Sequence, residues 1–206
     1  MNLPDYLSDT YKNYYGEIQD RLKEFEKITP ENSFYEFCFC LMTPQSSANN
    51  AWQVQRKLEE KDFFNKKFDP KYLLADSKHY IRFHNKKSER LLKAIDFFPE
   101  LYKLLISNLT VKEKRLQLKQ SFSGLGMKES SHFLRNIGYK NLAIIDRHVL
   151  KHLEKCNVIE NTTPPNSINQ YINIENSFLV FCDKIDIPID VMDLLFFAHD
   201  TGKVLK

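Results

Sequence analysis

Residues 118–138 carry the strongest pattern in this 206-residue chain, and they read LKQSFSGLGMKESSHFLRNIG. Three of the chain's five glycines, Gly124, Gly126 and Gly138, fall within them. A helical pattern ends before the first of these glycines, and a second begins at about Met127. The stretch therefore predicts two helices joined by a tight Gly-Leu-Gly hairpin, whose backbone N–H groups beside a helix N-terminus can bind a phosphate. A plain helix–helix turn is the alternative interpretation of the glycines.

Lys128 lies in the first turn of the second predicted helix, where the positive end of the helix dipole makes a lysine unfavourable. A sequence selected for stability alone favours Asp or Glu there. The same field destabilises the ammonium form, and a nucleophilic amine has to be neutral. The placement of Lys128 therefore indicates a lysine that forms a Schiff base.

Asp146 stands eighteen residues after Lys128, where it follows the apolar run 142–145 and opens another helix. An ordinary N-cap is one interpretation, because aspartate is among the best capping residues. The functional interpretation is a carboxylate held near the lysine, where it stabilises positive charge on a sugar and moves protons. His148 and His152 have a spacing compatible with zinc, but no third ligand accompanies them, so no metal site is predicted.

Helical periodicity dominates the rest of the chain, and no stretch shows sustained period-two alternation. The low glycine content argues against sandwiches, barrels and dinucleotide folds, which need many tight turns. The sequence therefore predicts an all-α protein. The predicted helices are residues 5–28, 33–43, 47–60, 71–77, 86–97, 99–107, 111–121, 127–137, 146–155, 168–183 and 189–200.

The composition is typical of a globular protein, with 42% hydrophobic and 28% charged residues. The longest apolar run is far shorter than the ~18 residues that cross a bilayer. No secretory signal is visible, so we expect a cytoplasmic protein with no membrane partner. The four cysteines contain no C-x-x-C pair, and we expect reduced, mostly buried thiols.

Basic residues are concentrated in one part of the chain, although the net charge is only +3. Residues 61–128 carry 16 Lys and Arg against 7 Asp and Glu, while the remainder is net acidic. The densest stretch is 78–93, where basic and aromatic residues alternate. Such a surface suits the backbone of a polyanion, although a solvated helix face is the alternative interpretation.

Gly124-Leu-Gly-Met-Lys128, followed by Asp146, resembles the pattern of the helix–hairpin–helix DNA glycosylases. Three segments are similar to the archaeal-type (type 2) 8-oxoguanine DNA glycosylase/lyases, namely 128–139, 143–150 and the terminal 201–206. The resemblance implies a bifunctional DNA glycosylase/AP lyase that excises 8-oxoguanine in base excision repair. The resemblance further implies a monomer whose partner is double-stranded DNA that contains an oxidised base.

In this resemblance, Lys128 attacks the anomeric carbon, displaces the damaged base and forms a Schiff base, after which β-elimination nicks the strand. Asp146 stabilises the oxocarbenium-like transition state and assists proton transfer. Gly124 and Gly126 grip the DNA backbone. Gln45 matches the position from which the family inserts a polar wedge as the base flips out, although the turn at 42–46, Met-Thr-Pro-Gln-Ser, departs from the family's usual one.

Three further residues are implied to recognise the base. Phe83 and Phe197 match the aromatic residues that sandwich it, although each is also compatible with a place in the core. Lys206 matches a terminal lysine whose carboxylate reads the oxidised guanine, and its alternative is a frayed tail. The last helix carries Phe-Phe where the family usually has tryptophan or tyrosine, which leaves open a lesion preference different from that of the family.

The resemblance also implies two helical lobes with a cleft between them. Residues 32–137 form one lobe, and residues 1–31 together with 138–206 form the other. The cysteine quartet that holds an iron–sulfur cluster in related glycosylases is missing, so no cofactor is expected. Two alternatives remain open, namely the same lysine chemistry on an oxidised pyrimidine, and a non-catalytic helix–hairpin–helix module that binds DNA without flipping a base.

Overall fold

The computed structural model describes residues 2–206, and for these residues it confirms the all-α prediction, with no strand among them. The eleven α-helices are α1 (Asp5–Glu26), α2 (Phe34–Met42), α3 (Ala48–Glu60), α4 (Phe63–Lys66), α5 (Lys71–Leu74), α6 (His84–Ile106), α7 (Val111–Ser121), α8 (Met127–Asn136), α9 (Arg147–Lys155), α10 (Ile168–Ile185) and α11 (Ile189–Thr201). Two short 3₁₀ helices occupy Pro30–Asn32 and Ser77–His79.

The chain divides into two compact units. The continuous unit is Ile28–Phe133, and the discontinuous unit combines the N-terminal residues up to Lys27 with Leu134–Lys206. Both boundaries lie slightly before the sequence-based ones at 31/32 and 137/138. Arg135 belongs to the discontinuous unit because its guanidinium stacks over the ring of Phe25 at 5.0 Å.

An aromatic cluster forms part of the core of the continuous unit. Phe37, on the almost wholly buried α2, lies 5.2 Å from the ring of Phe122 and 5.2 Å from that of Phe133, in edge-to-face contacts that aromatic pairs favour. Phe122 directly follows α7, and Phe133 lies on α8. The cluster therefore holds both helices that flank the Gly-Leu-Gly hairpin.

Helix α11 forms the centre of the discontinuous unit, where it packs against α1, α9 and α10. Its side chains are buried on nearly every face, as expected for a helix that other helices surround. The ring of Phe196 stacks on Phe178 of α10 at 5.5 Å and on His152 of α9 at 4.5 Å. These contacts fix α9, which begins directly after Asp146.

The prediction of separate helices at 86–97 and 99–107 is wrong, because α6 continues through Pro99. A proline inside a helix costs about 3 kcal/mol through its missing N–H and its clash with the preceding turn. Buried apolar side chains on both sides offset this cost, since each contributes about 1.5–3 kcal/mol. They are Leu91 and Ile95 before the proline and Leu101, Leu104 and Leu105 after it.

The segment 61–80 also differs from the prediction. The helix predicted at 71–77 is shorter, and a separate 3₁₀ turn at Ser77–His79 follows it. The side chain of Asp76 accepts a hydrogen bond from the Lys78 amide and so caps this turn. Helix α4 was not predicted, because four residues are too few to show a helical period.

Candidate active site

The hairpin between α7 and α8 requires glycine at position 124. Gly124 has φ +105°, which side-chain-bearing residues rarely adopt. A Cβ atom added there would overlap the guanidinium of Arg90. The second glycine of the motif, Gly126, directly precedes α8.

Both carboxylate oxygens of Glu129 make contacts at the N-terminus of α8. Its Oε2 accepts a hydrogen bond from the Gly126 amide at 3.1 Å, and its Oε1 lies 3.3 Å from the Nζ of Lys128. The amide that the sequence assigned to a phosphate is therefore bound here by the chain's own carboxylate. The sequence analysis missed Glu129, although glutamate at the third position of a helix is the signal of a capping box.

Lys128 lies in the first turn of α8, as predicted. Its side chain is 31% exposed, and its ammonium pairs with Glu129. The helix ends at Asn136, and Gly138 follows with φ +87°. The left-handed conformation of Gly138 terminates the helix that carries the candidate nucleophile, as the sequence predicted.

Asp146 caps α9, so the structural interpretation of this residue is confirmed. Its Oδ1 accepts hydrogen bonds from the backbone amides of His148 at 2.8 Å and Val149 at 3.0 Å. The carboxylate is half-buried. Capping uses one oxygen, and it orients the group without preventing a second role for the other oxygen.

Side chains of α10 hold the apolar run before Asp146. The hydroxyl of Tyr171 donates to the carbonyl of Ala143 at 2.7 Å and accepts from the amide of Ile145 at 3.2 Å. The carboxylate of Glu175 accepts from the Ala143 amide at 3.0 Å. This non-helical run forms no regular secondary structure, and these bonds fix the position from which Asp146 projects.

Two histidines of α9 face Asp200 of α11. The Nδ1 of His148 lies 2.7 Å from Oδ2 of Asp200, and the Nε2 of His152 lies 3.3 Å from Oδ1. The second histidine also hydrogen-bonds the Tyr6 hydroxyl through Nδ1 at 2.9 Å. Lys151 donates to Asp200 at 2.8 Å. His148 and Lys151 hydrogen-bond Asp200, whereas Nε2 of His152 lies close to it without a hydrogen bond. Within residues 2–206, no cluster of three His, Cys, Asp or Glu side chains is arranged to hold a metal.

Charge and burial set two pKa values in this network. Burial lowers the pKa of His152 to about 4, against an opposing attraction from Asp200. Burial acts to raise the pKa of Asp200, but hydrogen bonds from Lys151 and His148 outweigh it and hold that pKa well below its ordinary value. His152 is therefore neutral at physiological pH, and Asp200 is ionised.

The two candidate stacking residues both lie outside the core. Phe83 is 50% exposed and has φ +60°, which is unusual for a bulky residue. The guanidinium of Arg82 lies over its ring at 5.0 Å. Phe197 is half-buried on α11, and its ring meets His148 edge to face at 5.4 Å. Phe83 is therefore the more exposed of the two rings, and the Arg82 guanidinium covers one of its faces.

The remaining candidate residues lie at a turn and at the chain terminus. Gln45 is exposed and has φ +56°. Lys206 is half-buried, and the tail before it packs on the protein: Val204 is 2% exposed, and the Tyr14 hydroxyl donates to the carbonyl of Gly202 at 3.1 Å. The last residues are thus held against the discontinuous unit, unlike a frayed tail.

The structure assigns the candidate residues to both units. Gln45, Phe83, Gly124, Gly126 and Lys128 lie in the continuous unit. The discontinuous unit carries Asp146, Phe197 and Lys206. Within that unit, His148 connects two of them, because its amide binds Asp146 and its ring contacts Phe197.

All four cysteines are free thiols, three of them buried and Cys156 half-buried. Burial raises the pKa of the Cys182 thiol well above its ordinary value, so this thiol stays protonated. In the part of the chain that the structure describes, no helix has the length and apolar character needed to span a bilayer.

Comparison with known proteins gives a consistent family. Residues 18–187 match the family model described as 8-oxoguanine DNA glycosylase. An 8-oxoguanine DNA glycosylase/AP lyase of Fusobacterium nucleatum is 34% identical over 211 residues, covering 97% of this chain and 96% of the relative. The crystal structure of the Methanocaldococcus jannaschii 8-oxoguanine DNA glycosylase superposes with a TM-score of 0.84 at 29% identity, covering 97% of this chain and 94% of that one.

A second crystal structure shows the M. jannaschii glycosylase/lyase in complex with 15mer DNA containing 8-oxoguanine. It has a TM-score of 0.84 at 28% identity and covers 98% of both chains. The match therefore extends over nearly the whole molecule. This chain belongs to the 8-oxoguanine DNA glycosylase family.

Proposed function

We propose that this protein is a bifunctional DNA glycosylase/AP lyase that removes 8-oxoguanine from double-stranded DNA. The observation that carries the proposal is a half-exposed lysine at the start of the hairpin helix, in a chain whose fold matches this family from end to end. A plain hairpin that binds DNA through its backbone requires neither Lys128 nor Asp146.

Lys128 supplies the nucleophile of the proposed reaction. Its neutral amine attacks C1′ of the damaged nucleotide, the N–C1′ bond forms, and the glycosidic bond breaks with its electron pair leaving on the base. Loss of a proton from the nitrogen and cleavage of the C1′–O4′ bond open the sugar and give a Schiff base. Loss of a C2′ proton then drives β-elimination, which breaks the C3′–O bond and releases the 3′ phosphate. Asp146 stabilises the positive charge that develops on the sugar.

The proposed DNA contacts come from exposed and half-buried groups of both units. The backbone at Gly124 and Gly126 approaches a phosphate, and Gln45 enters the duplex where the base leaves it. Phe83 and Phe197 stack on the flipped base, and the terminal carboxylate at Lys206 hydrogen-bonds its oxidised edge. The 50% exposure of Phe83, the place of Phe197 outside the core and the packed tail support these roles.

The basic segment 61–128 supplies the electrostatic part of DNA binding. Not all of its charge reaches solvent, because Lys87, Lys114 and Arg115 are buried. Exposed lysines and arginines remain along 78–93, including Lys86 and Lys93. We expect monomeric protein to bind DNA with an affinity that falls steeply as salt rises, because each phosphate contact releases counterions.

Borohydride trapping on an oligonucleotide with one 8-oxoguanine tests the function. The expected result is a covalent protein–DNA adduct for the wild type and none for Lys128→Gln. Lys12→Gln, an exposed lysine of α1, is the matched control and should trap normally. Trapping only on an oxidised pyrimidine would show that this lesion, and not 8-oxoguanine, is the substrate. DNA binding without any covalent adduct would show that the protein is a non-catalytic DNA-binding module.

A further inference from the structure

Lys87 is a buried lysine to which the proposed reaction assigns no role. Its side chain is 2% exposed and lies in the first turn of α6. Its ammonium donates to the carbonyl of Met42 at 2.6 Å, to the carbonyl of Pro44 at 2.6 Å and to the hydroxyl of Ser46 at 3.1 Å. All three donors of the ammonium therefore point at a single turn.

That turn carries Gln45, whose backbone is in the left-handed region at φ +56°. A residue other than glycine stays in this conformation only when its surroundings hold it there. The carbonyls bonded by Lys87 lie on the preceding residue, Pro44, and at the end of α2. The buried ammonium thus fixes the backbone that presents Gln45 to solvent.

The same lysine reaches the segment that carries Phe83. Its backbone amide donates to the Phe83 carbonyl at 3.0 Å, and Ser46, which accepts from its side chain, also accepts from the Arg82 amide at 3.0 Å. Phe83 is likewise held at a positive φ, +60°. One residue therefore ties together two exposed side chains with unusual backbones that are far apart in sequence.

The charge of Lys87 is costly, which argues against a purely stabilising role. Burial lowers its pKa to about 8, and repulsion from Arg90 and Lys128 adds to the effect. Glu129, beside Lys128, opposes it. A buried charge with no carboxylate in contact is seldom the cheapest way to stabilise a turn, since apolar packing of similar volume is often as stable.

We propose that Lys87 is a positioning residue for base flipping, which locks the Gln45 turn and the Phe83 segment into one arrangement before DNA binds. This inference rests on the proposed function. It gives Lys87 no contact with the substrate and no step in the chemistry. Arginine is a poor substitute, because its planar fork does not match three acceptors that converge on one point.

The test compares two DNA substrates in single-turnover reactions with Lys87→Met. We expect excision of 8-oxoguanine to fall about 100-fold, the effect that a misplacement of about 1 Å produces. Trapping on a preformed abasic site, which has no base to extrude, should fall by less than about threefold. A 2-aminopurine placed next to the lesion should lose its fluorescence increase on binding, because the base stays stacked.

Lys114→Met is the matched control. Lys114 is also buried in the continuous unit, and its ammonium donates to the carbonyls of Leu105 and Ser107, away from the Gln45 turn. Lys114→Met should lower the melting temperature about as much as Lys87→Met does. It should leave the 2-aminopurine fluorescence and the excision rate within about threefold of the wild type. Lys87→Arg should not restore flipping.

Three results would overturn the proposal: excision by Lys87→Met at the wild-type rate, an equal loss on both substrates, or the same fluorescence loss in Lys114→Met. If Lys87→Met does not fold, Ser46→Ala decides, because it removes the hydroxyl that accepts from both the Arg82 amide and the Lys87 ammonium, while the two carbonyl bonds of Lys87 remain. An unchanged fluorescence signal in Ser46→Ala then overturns the inference. A wild type that excises no 8-oxoguanine overturns the proposed function itself, and that outcome is visible before any variant is compared.

Discussion

Glu129 binds the amide of Gly126, at 3.1 Å, in the position where a phosphate oxygen is expected at a helix N-terminus. The other oxygen of this carboxylate pairs with Lys128. A negative side chain therefore occupies the anion site of the hairpin in the free protein. If the hairpin binds a DNA phosphate as proposed, this carboxylate repels it.

Glu129→Gln removes this repulsion and keeps an oxygen that accepts from the Gly126 amide. We expect affinity for DNA with a non-cleavable abasic analogue to rise about threefold at low salt, because one unfavourable charge is lost. Fluorescence anisotropy measures it. Glu113→Gln is the control, since Glu113 closes the capping box of α7 with Thr110 and should change stability alone. Equal or weaker binding by Glu129→Gln would contradict the prediction.

Substitutions of Asp146 separate its capping role from its chemical role. Asparagine caps as well as aspartate, so Asp146→Asn should change the unfolding free energy by less than about 0.5 kcal/mol. Its excision rate should fall about 100-fold or more, because the charge opposite the developing cation is lost. Asp146→Ala should also lose about 1 kcal/mol of stability.

The control for the Asp146 variants is Ser167→Ala, which removes the N-cap bond of α10 to Gln170. It should reproduce the stability loss of Asp146→Ala with full activity. Chemical denaturation and single-turnover kinetics provide the two measurements. Full activity in Asp146→Asn would leave Asp146 as a cap only.

His152 should make the fold sensitive to mild acid. Its pKa is about 4 in the folded protein against an ordinary value of 6.5, so the unfolded chain takes up a proton that the folded one does not. Its contribution to stability is therefore complete above pH 6.5 and decreases as the pH falls towards 4, by about 3 kcal/mol in total. Asp200, whose pKa is lowered, stays ionised throughout this window.

An NMR titration of the His152 ring gives the pKa directly. The free energy of unfolding, measured between pH 4 and 7, should depend less on pH in His152→Gln than in the wild type. A ring that titrates near 6.5, or two parallel stability curves, would rule out this linkage.

The terminal lysine should govern recognition without governing stability. Deletion of Lys206 leaves Val204 in its buried position and the Gly202 carbonyl bonded to Tyr14. We expect an unchanged melting temperature and a loss of about tenfold or more in the preference for 8-oxoguanine over guanine, since a recognition group is shifted. Val204→Ala should instead cost about 1–3 kcal/mol by leaving a cavity. An unchanged preference for 8-oxoguanine over guanine after the deletion would contradict a recognition role of the terminus.

Local patterns were sufficient for most helices and for the hairpin. Apolar residues at helical spacing mark the helices, and Gly124, Gly126 and Gly138 mark the turns that other residues fit poorly. The prediction failed at Pro99, because burial of leucines on both sides of the proline, a tertiary effect, offsets the cost of the break. It also failed at α4, which is too short to show a period.

By itself, the sequence determined the all-α class, the position of Lys128 in the first turn of its helix and the N-terminal position of Asp146, because these depend on neighbours within one or two turns. The contact of Glu129 with the Gly126 amide is also local, since the two residues are three positions apart. Only the tertiary structure decided that Asp200 joins His148 to His152 and that Lys87 holds the turn of Gln45. These contacts join residues 43 to 52 positions apart in the chain. No local pattern encodes which distant side chain will satisfy a buried polar group, and packing of the complete units settles that choice.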